Sequence, residues 1–105
     1  PDGSLGARAM GAVVPPAAAG QRNAPPDYPA ESRRRGEEGV VRLLLHVDAH
    51  GGVQEAEVIA TSGHAALDRA AVAAARRWRF RPATQGGVPV AARLATAVHF
   101  RLTER

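Results

Sequence analysis

The side chains able to do chemistry are few and scattered. The histidines are His46, His50, His64 and His99. They fall on an expected strand, a turn, a helix entry and another strand, so none forms the helical i, i+4 pair of a zinc enzyme. There is no cysteine, which removes disulfides and thiolate metal sites. Glu37 and Glu38 are adjacent and point apart, so they are not a working pair of carboxylates. No serine sits in a nucleophile elbow, and no Gly-rich phosphate loop is present. The residues argue against an enzyme, and neither a metal nor a cofactor is expected.

A second chemistry is suggested by Arg76-Arg77-Trp78-Arg79-Phe80-Arg81-Pro82, which holds the one tryptophan and one of two phenylalanines. Arginines here, with Arg33, Arg34 and Arg35, could contact phosphates. Three observations weaken a nucleic-acid reading. Glu31, Glu37 and Glu38 dilute the second cluster. Stacking needs exposed rings, yet helical spacing places Trp78 on an apolar stripe. The net charge is a modest +4, and all 14 basic residues are arginine, which stays protonated at any ordinary pH.

These residues must be positioned by a chain of 105 residues, enough for one small domain. Residues 1–27 hold Gly3, Gly6, Gly11, Gly20, Pro15, Pro16, Pro25 and Pro26 among alanines, with no sustained apolar period. Residues 1–24 therefore read as a flexible linker or an expression remnant, and 25–105 as the domain. No apolar run approaches the ~20 residues of a membrane span. The first residue is Pro1, not methionine, and the chain reads as a piece of something longer.

Pro29 suits a first helical turn, Ala30 to Arg35 a short helix, and Gly36 its αL stop. Val40 to Asp48 is a strand with Val41, Leu43, Leu45 and Val47 on one face. Asp48-Ala49-His50-Gly51 is a hairpin turn. Val53 to Thr61 is a second strand with its core face on the even residues and Ile59 as the exception. Leu67, Ala70, Ala71, Ala74 and Trp78 form the stripe of a helix over Ala65 to Trp78. Gln85-Gly86-Gly87 is a turn. Val88 to Leu102 is a long third strand: Val88, Val90, Ala92, Leu94, Thr96, Val98, Phe100 and Leu102 face one way, and Ala91, Arg93, Ala95, Ala97, His99 and Arg101 the other.

The fold class is α+β, in the order helix-strand-strand-helix-strand: a three-stranded antiparallel sheet, one long helix packed on one face, and a short N-terminal helix. Such a sheet leaves two edges. A long edge strand with small outward residues (Ala91, Ala95, Ala97) could take another extended peptide. Arg93 and Arg101 would then add selectivity, or they merely protect the edge; the sequence leaves both open.

Tyr28-Pro29-Ala30-Glu31, Arg33-Arg34-Arg35-Gly36 and Glu38-Gly39 resemble the opening of the TonB C-terminal domain family. So do Val47-Asp48 with Gly51 and Val53, then Ser62-Gly63-His64, Leu67-Asp68-Arg69-Ala70-Ala71, Arg77-Trp78-Arg79-Phe80-Arg81-Pro82, Pro89-Val90 and the strand to Leu102. The match runs in order from residue 25 to 102. One departure is Glu37, where the family pattern often has an apolar residue. The resemblance implies a periplasmic domain of a Gram-negative energy transducer, anchored to the inner membrane in the full-length protein and driven by an ExbB/ExbD complex. It would grip the TonB box of outer-membrane transporters by strand addition, for uptake of siderophores or similar cargo. Carried over by position, the grip falls on Val90 to Phe100, with secondary contacts at Ser32, Arg35, Gly36 and Gly39. A homodimer through the third strand is left open. The alternative is a periplasmic scaffold of the same fold that serves no such transporter, and the weakest reading is a basic nucleic-acid module.

Overall fold

A computed structural model describes residues 13–18 and 23–102. The central sheet has the order β4-β3-β8, all antiparallel, built from β3 (Gly39–Val47), β4 (Val53–Ala60) and β8 (Ala92–Phe100). The alternation in the β3 sequence becomes an alternation in burial: Val41, Leu43 and Leu45 are 0% exposed and Val47 is 1%. Helix α2 (Ala65–Ala75) lies over β3 and β4, burying Leu67, Ala71, Ala74 and Ala75. Alanines carry nothing beyond Cβ, so the helix can lie close to the strands. A core with so few aromatics fills in this way.

The β3–β4 turn forms as its residues dictate. Gly51 adopts φ 89°, its N–H donates to the Asp48 carbonyl at 3.0 Å, and the Asp48 N–H donates to the Gly52 carbonyl at 2.9 Å. The Asp48 carboxylate accepts from the Gly52 and His50 N–H groups and from the Gln54 amide, and these bonds hold its pKa below the usual carboxylate range. Strand β4 carries two irregularities. Leu43 faces Val58 and Arg42 faces Ala60, so Ile59 is an extra residue. That bulge is the physical reason Ile59 broke the even–odd pattern. The even face is only partly buried: Ala56 is 8% exposed, but Val58 is 37%.

Helix α1 (Ala30–Arg35) stops at Gly36 with φ 70°. The Gly36 N–H donates to the Arg33 carbonyl at 3.2 Å, and the Glu37 N–H to the Ser32 carbonyl at 2.9 Å, the paired closure of a Schellman motif. The entry to α2 is fixed from inside the helix. The Asp68 carboxylate accepts from the Thr61 hydroxyl, from the Ser62 N–H at 2.9 Å and from the Ser62 hydroxyl at 2.7 Å. Burial pushes this carboxyl up, but those three bonds together outweigh it and hold it low. A group with a depressed folded-state pKa stabilises the fold above its unfolded value of about 3.9, and that contribution is lost as the pH falls through the folded value. Asp68→Asn is therefore expected to destabilise the fold at pH 7 by about 1–2 kcal/mol, seen as a lower thermal midpoint, and to flatten the acid limb of a midpoint-against-pH curve below about pH 4.

Three expectations need correction. The helix over Ala65 to Trp78 ends at Ala75. The Arg77 and Trp78 N–H groups donate three residues back, to Ala74 and Ala75, in a tighter turn. Trp78 still packs on the core, half-buried, and its Nε1–H donates to the Ala24 carbonyl at 2.7 Å. Phe80 is likewise half-buried, with Arg77, Arg79 and Arg81 exposed.

The expected linker is the second. Within it, β1 (Val13–Val14) and β2 (Ala17–Ala18) pair with the segment that follows α2, against β6 (Ala83–Gln85) and β5 (Phe80–Arg81) respectively. The third is the long third strand, which is two strands. Gly86 and Gly87, at φ 61° and 82°, make a two-residue primed turn that folds β7 (Val88–Val90) back on β6. Pro89 sits in β7, at the edge of that small sheet, where a missing N–H is tolerated. The chain then passes Ala91 and starts β8.

Candidate functional site

Strand β8 runs beside β3 in unbroken register from Val47↔Ala92 to Gly39↔Phe100. Its other side pairs with no strand among the described residues. Alternate residues of this nine-residue strand thus present a regular row of outward backbone N–H and C=O groups. Because α2 covers β3 and β4, the inner face of β8 is only partly roofed at its start. Ala92, Leu94 and Thr96 are half-buried, whereas Val98 is 6% and Phe100 3% exposed. On the outer face Arg93, Ala95 and His99 are exposed and Ala97 is half-buried. Arg93 stands across from His46, which stands across from Glu55.

The far end of this edge is fastened to α1. The Tyr28 ring meets the Phe100 ring edge-on, with centroids 5.3 Å apart at 88°. The Arg33 guanidinium lies 5.0 Å from the Tyr28 ring centre, and the Tyr28 hydroxyl donates to the Glu37 carbonyl. Burial, with the charges of Glu38 and Glu37 and against that of Arg33, raises the Tyr28 pKa, so this bond keeps its proton at any ordinary pH. The Glu38 carboxylate accepts from the Leu102 N–H at 2.7 Å. Glu37 is half-buried in this junction, its carboxylate 3.7 Å from both Arg35 and His64.

The predicted residues therefore divide. Ala92 to Phe100 lie together on the free edge. Val90 faces Ala83 in the small sheet, and Ala91 lies exposed between the strands; neither belongs to the edge. Arg35 and Gly36 are exposed at the end of α1, with Arg35 bonded to Glu31 at 3.1 Å. Ser32 is fully buried, and its hydroxyl has no hydrogen-bond partner among the described residues. Gly39 pairs with Phe100, and a side chain there would meet the Ser62 carbonyl at 2.8 Å. Ser32 and Gly39 are thus structural, and their side-chain positions are closed to a partner. Removing an unpaired buried hydroxyl relieves a desolvation penalty. Ser32→Ala should leave the stability unchanged or raise it by up to about 1 kcal/mol, which calorimetry would show as an equal or higher unfolding midpoint.

No group of three or more metal-binding side chains occurs among the described residues, and no helix there is long and apolar enough to cross a membrane. What this surface offers is main-chain hydrogen bonding along one strand. The family model for the Gram-negative bacterial TonB protein C-terminal matches residues 24–102. The chain belongs to the TonB C-terminal family. It is 44% identical over 80 residues to Protein tonB2 of Pseudomonas aeruginosa, covering 76% of this chain and 30% of that protein. It is 42% identical over 78 residues to Protein TonB of Xanthomonas campestris, covering 74% and 35%. The chain thus spans about a third of the length of these relatives. The solution NMR structure of the Pseudomonas aeruginosa TonB CTD superposes with a TM-score of 0.69 at 29% identity, over 89% of each chain. As a TonB C-terminal domain, the chain keeps the α+β arrangement read from its sequence, with short strands added after α2.

Sequence reasoning missed the short strands and the fastening of Tyr28 to Glu37 and Phe100. The Tyr-Pro pair was visible, but nothing local says which carbonyl a tyrosine hydroxyl will reach nine residues away.

Proposed function

We propose that this domain is the gripping end of a TonB-like energy transducer in the periplasm. It takes the TonB box of an outer-membrane transporter as an added strand on β8. Parts of the protein outside this chain anchor it to the inner membrane and engage an ExbB/ExbD complex, whose proton-motive force is delivered as a pull. Siderophores or similar cargo then enter through the remodelled transporter. The observation that carries this reading is the unpaired, regular edge of β8 in a member of this family. Strand addition suits it because main-chain bonds give affinity while alternate side chains give selectivity. A mechanical grip needs bonds loaded together and no catalytic group. The same edge would also accept the β8 of a second copy, so self-pairing competes with the box.

The test is a titration of isotope-labelled protein with a TonB-box peptide. Amide shifts should saturate and concentrate between Ala92 and Phe100. Shifts absent from β8, or equal for a scrambled peptide, would rule the reading out.

A further inference from the structure

The two edges of the central sheet are unlike. β8 is regular, whereas β4 pairs with β3 through two register shifts, and bulges turn an edge away from strand pairing. Beside the bulge, Val58 is 37% and Ile59 51% exposed. Between β4 and α2 runs a groove of about 440 Å³ lined by Val58, Asp68, Arg69, Val72, Ala73 and Arg76. Its walls are apolar at Val58, Val72 and Ala73, and arginines stand at two points of its rim. Asp68, the one acid there, is already bonded to Thr61 and Ser62. Among the described residues neither Arg69 nor Arg76 has an ion-pair partner.

We propose that this groove docks an amphipathic helix of a partner protein, one that lays an apolar ridge along Val58, Val72 and Ala73 and sets two carboxylates against Arg69 and Arg76. The spacing favours a helix. Arg69 lies in α2 and Arg76 caps its end with still-helical angles; seven residues apart, they stand roughly 10.5 Å along the axis, and carboxylates seven apart on a second helix laid alongside repeat that distance. Same-face residues of a strand recur at about 7 or 13 Å. The groove is shallow and open, so a ridge can lie along it, and the two arginines on its rim, without ion-pair partners among the described residues, call for an acidic occupant. It lies on the opposite edge from β8, two strand spacings or about 10 Å away, so both edges can be occupied together. The inference goes beyond strand addition and stands without it.

The experiment uses the full labelled chain and two synthetic helical peptides. Both carry a leucine stripe. One has glutamates seven residues apart beside it, the other lysines at the same two positions. The glutamate peptide should shift the Val58, Val72 and Ala73 amides saturably and bind about tenfold tighter than the lysine peptide. Arg69→Glu/Arg76→Glu should invert that preference; if the double variant has a lowered unfolding midpoint, Arg69→Glu alone should abolish the difference. Added TonB-box peptide should leave these shifts in place, whether or not it binds β8. Equal affinity of both peptides for both proteins overturns the proposal, as do shifts located elsewhere. Tighter binding to phosphatidylglycerol vesicles, lost on charge reversal, would assign the groove to lipid instead. A dimer without peptide that charge reversal dissolves would assign it to a second copy.

Discussion

Proline on the free edge of β8 is expected to abolish TonB-box binding without unfolding the domain. Backbone groups along a strand point alternately to its two sides, so of the neighbours Ala95 and Thr96 one donates its N–H to β3 and the other to the open edge. Proline at the first removes a ladder bond inside the sheet, and the unfolding midpoint should fall. Proline at the second removes only an outward donor, which an edge strand tolerates. Making both variants and comparing their midpoints identifies the outward position from the protein's own behaviour. The variant with the wild-type midpoint should bind a TonB-box peptide at least about a hundredfold more weakly, or ~2.7 kcal/mol. Undiminished affinity in that stable variant would end the case for β8.

Gly51→Ala is expected to cost the fold more than any change at an exposed turn ordinarily does. Gly51 sits at φ 89°, and a Cβ there would collide with the Phe80 carbonyl oxygen. Its own carbonyl accepts from the Phe80 N–H at 2.8 Å, and Gly52 is bridged to Arg79, so neither chain can step aside without losing bonds. Backbone strain and the collision together should amount to about 3 kcal/mol or more, a large part of the 5–15 kcal/mol typical of a domain. Gly36→Ala separates the two effects. Gly36 is also left-handed, at φ 70°, but nothing lies within 4 Å of the added carbon, so only the strain of about 1–2 kcal/mol remains. Chemical denaturation of both variants should show the larger loss at Gly51; equal losses would mean that Phe80 yields freely.

What could be read from the residues was whatever a local pattern or a local turn enforces. The period of two through Val41, Leu43, Leu45 and Val47 has one explanation, a strand buried on one side. Gly36 and Gly51 mark turns because few other residues tolerate those angles. The same period misled from Val88 onward. Alternation continues unbroken through Ala91, yet the paired glycines at 86 and 87 fold Val88–Val90 onto a different neighbour, and periodicity carries no information about which neighbour a strand chooses. The bulge at Ile59 did announce itself, as a parity conflict. Strands β1 and β2 did not. Two-residue pairings in an alanine- and proline-rich stretch have no period of their own and exist because β5 and β6 offer them partners. Ser32 was illegible for a similar reason: a six-residue helix is too short for a period to say which of its residues is buried. For the edge itself, sequence located the strand but set its beginning two residues early.

The small pairings β1–β6 and β2–β5 give this domain a graded response to tension. They join Val13 to Gln85, Val14 to Thr84, Ala17 to Arg81 and Ala18 to Phe80, and they precede every other paired residue of the described chain. A force applied from the N-terminal side meets them first. Such short ladders belong to the least stable part of a fold and open at low cost. Once they part, the stretch from Val13 to Asn23 can straighten toward an extended limit of about 35 Å before the Asn23 side chain, which accepts from the Arg79 N–H, and the Ala24 carbonyl, held by the Trp78 indole, take any strain. The central sheet stays unloaded until then. Slack is thus stored on the surface of the domain, and β8, the proposed docking edge, would feel a pull from the N-terminal side only after that slack has been drawn out.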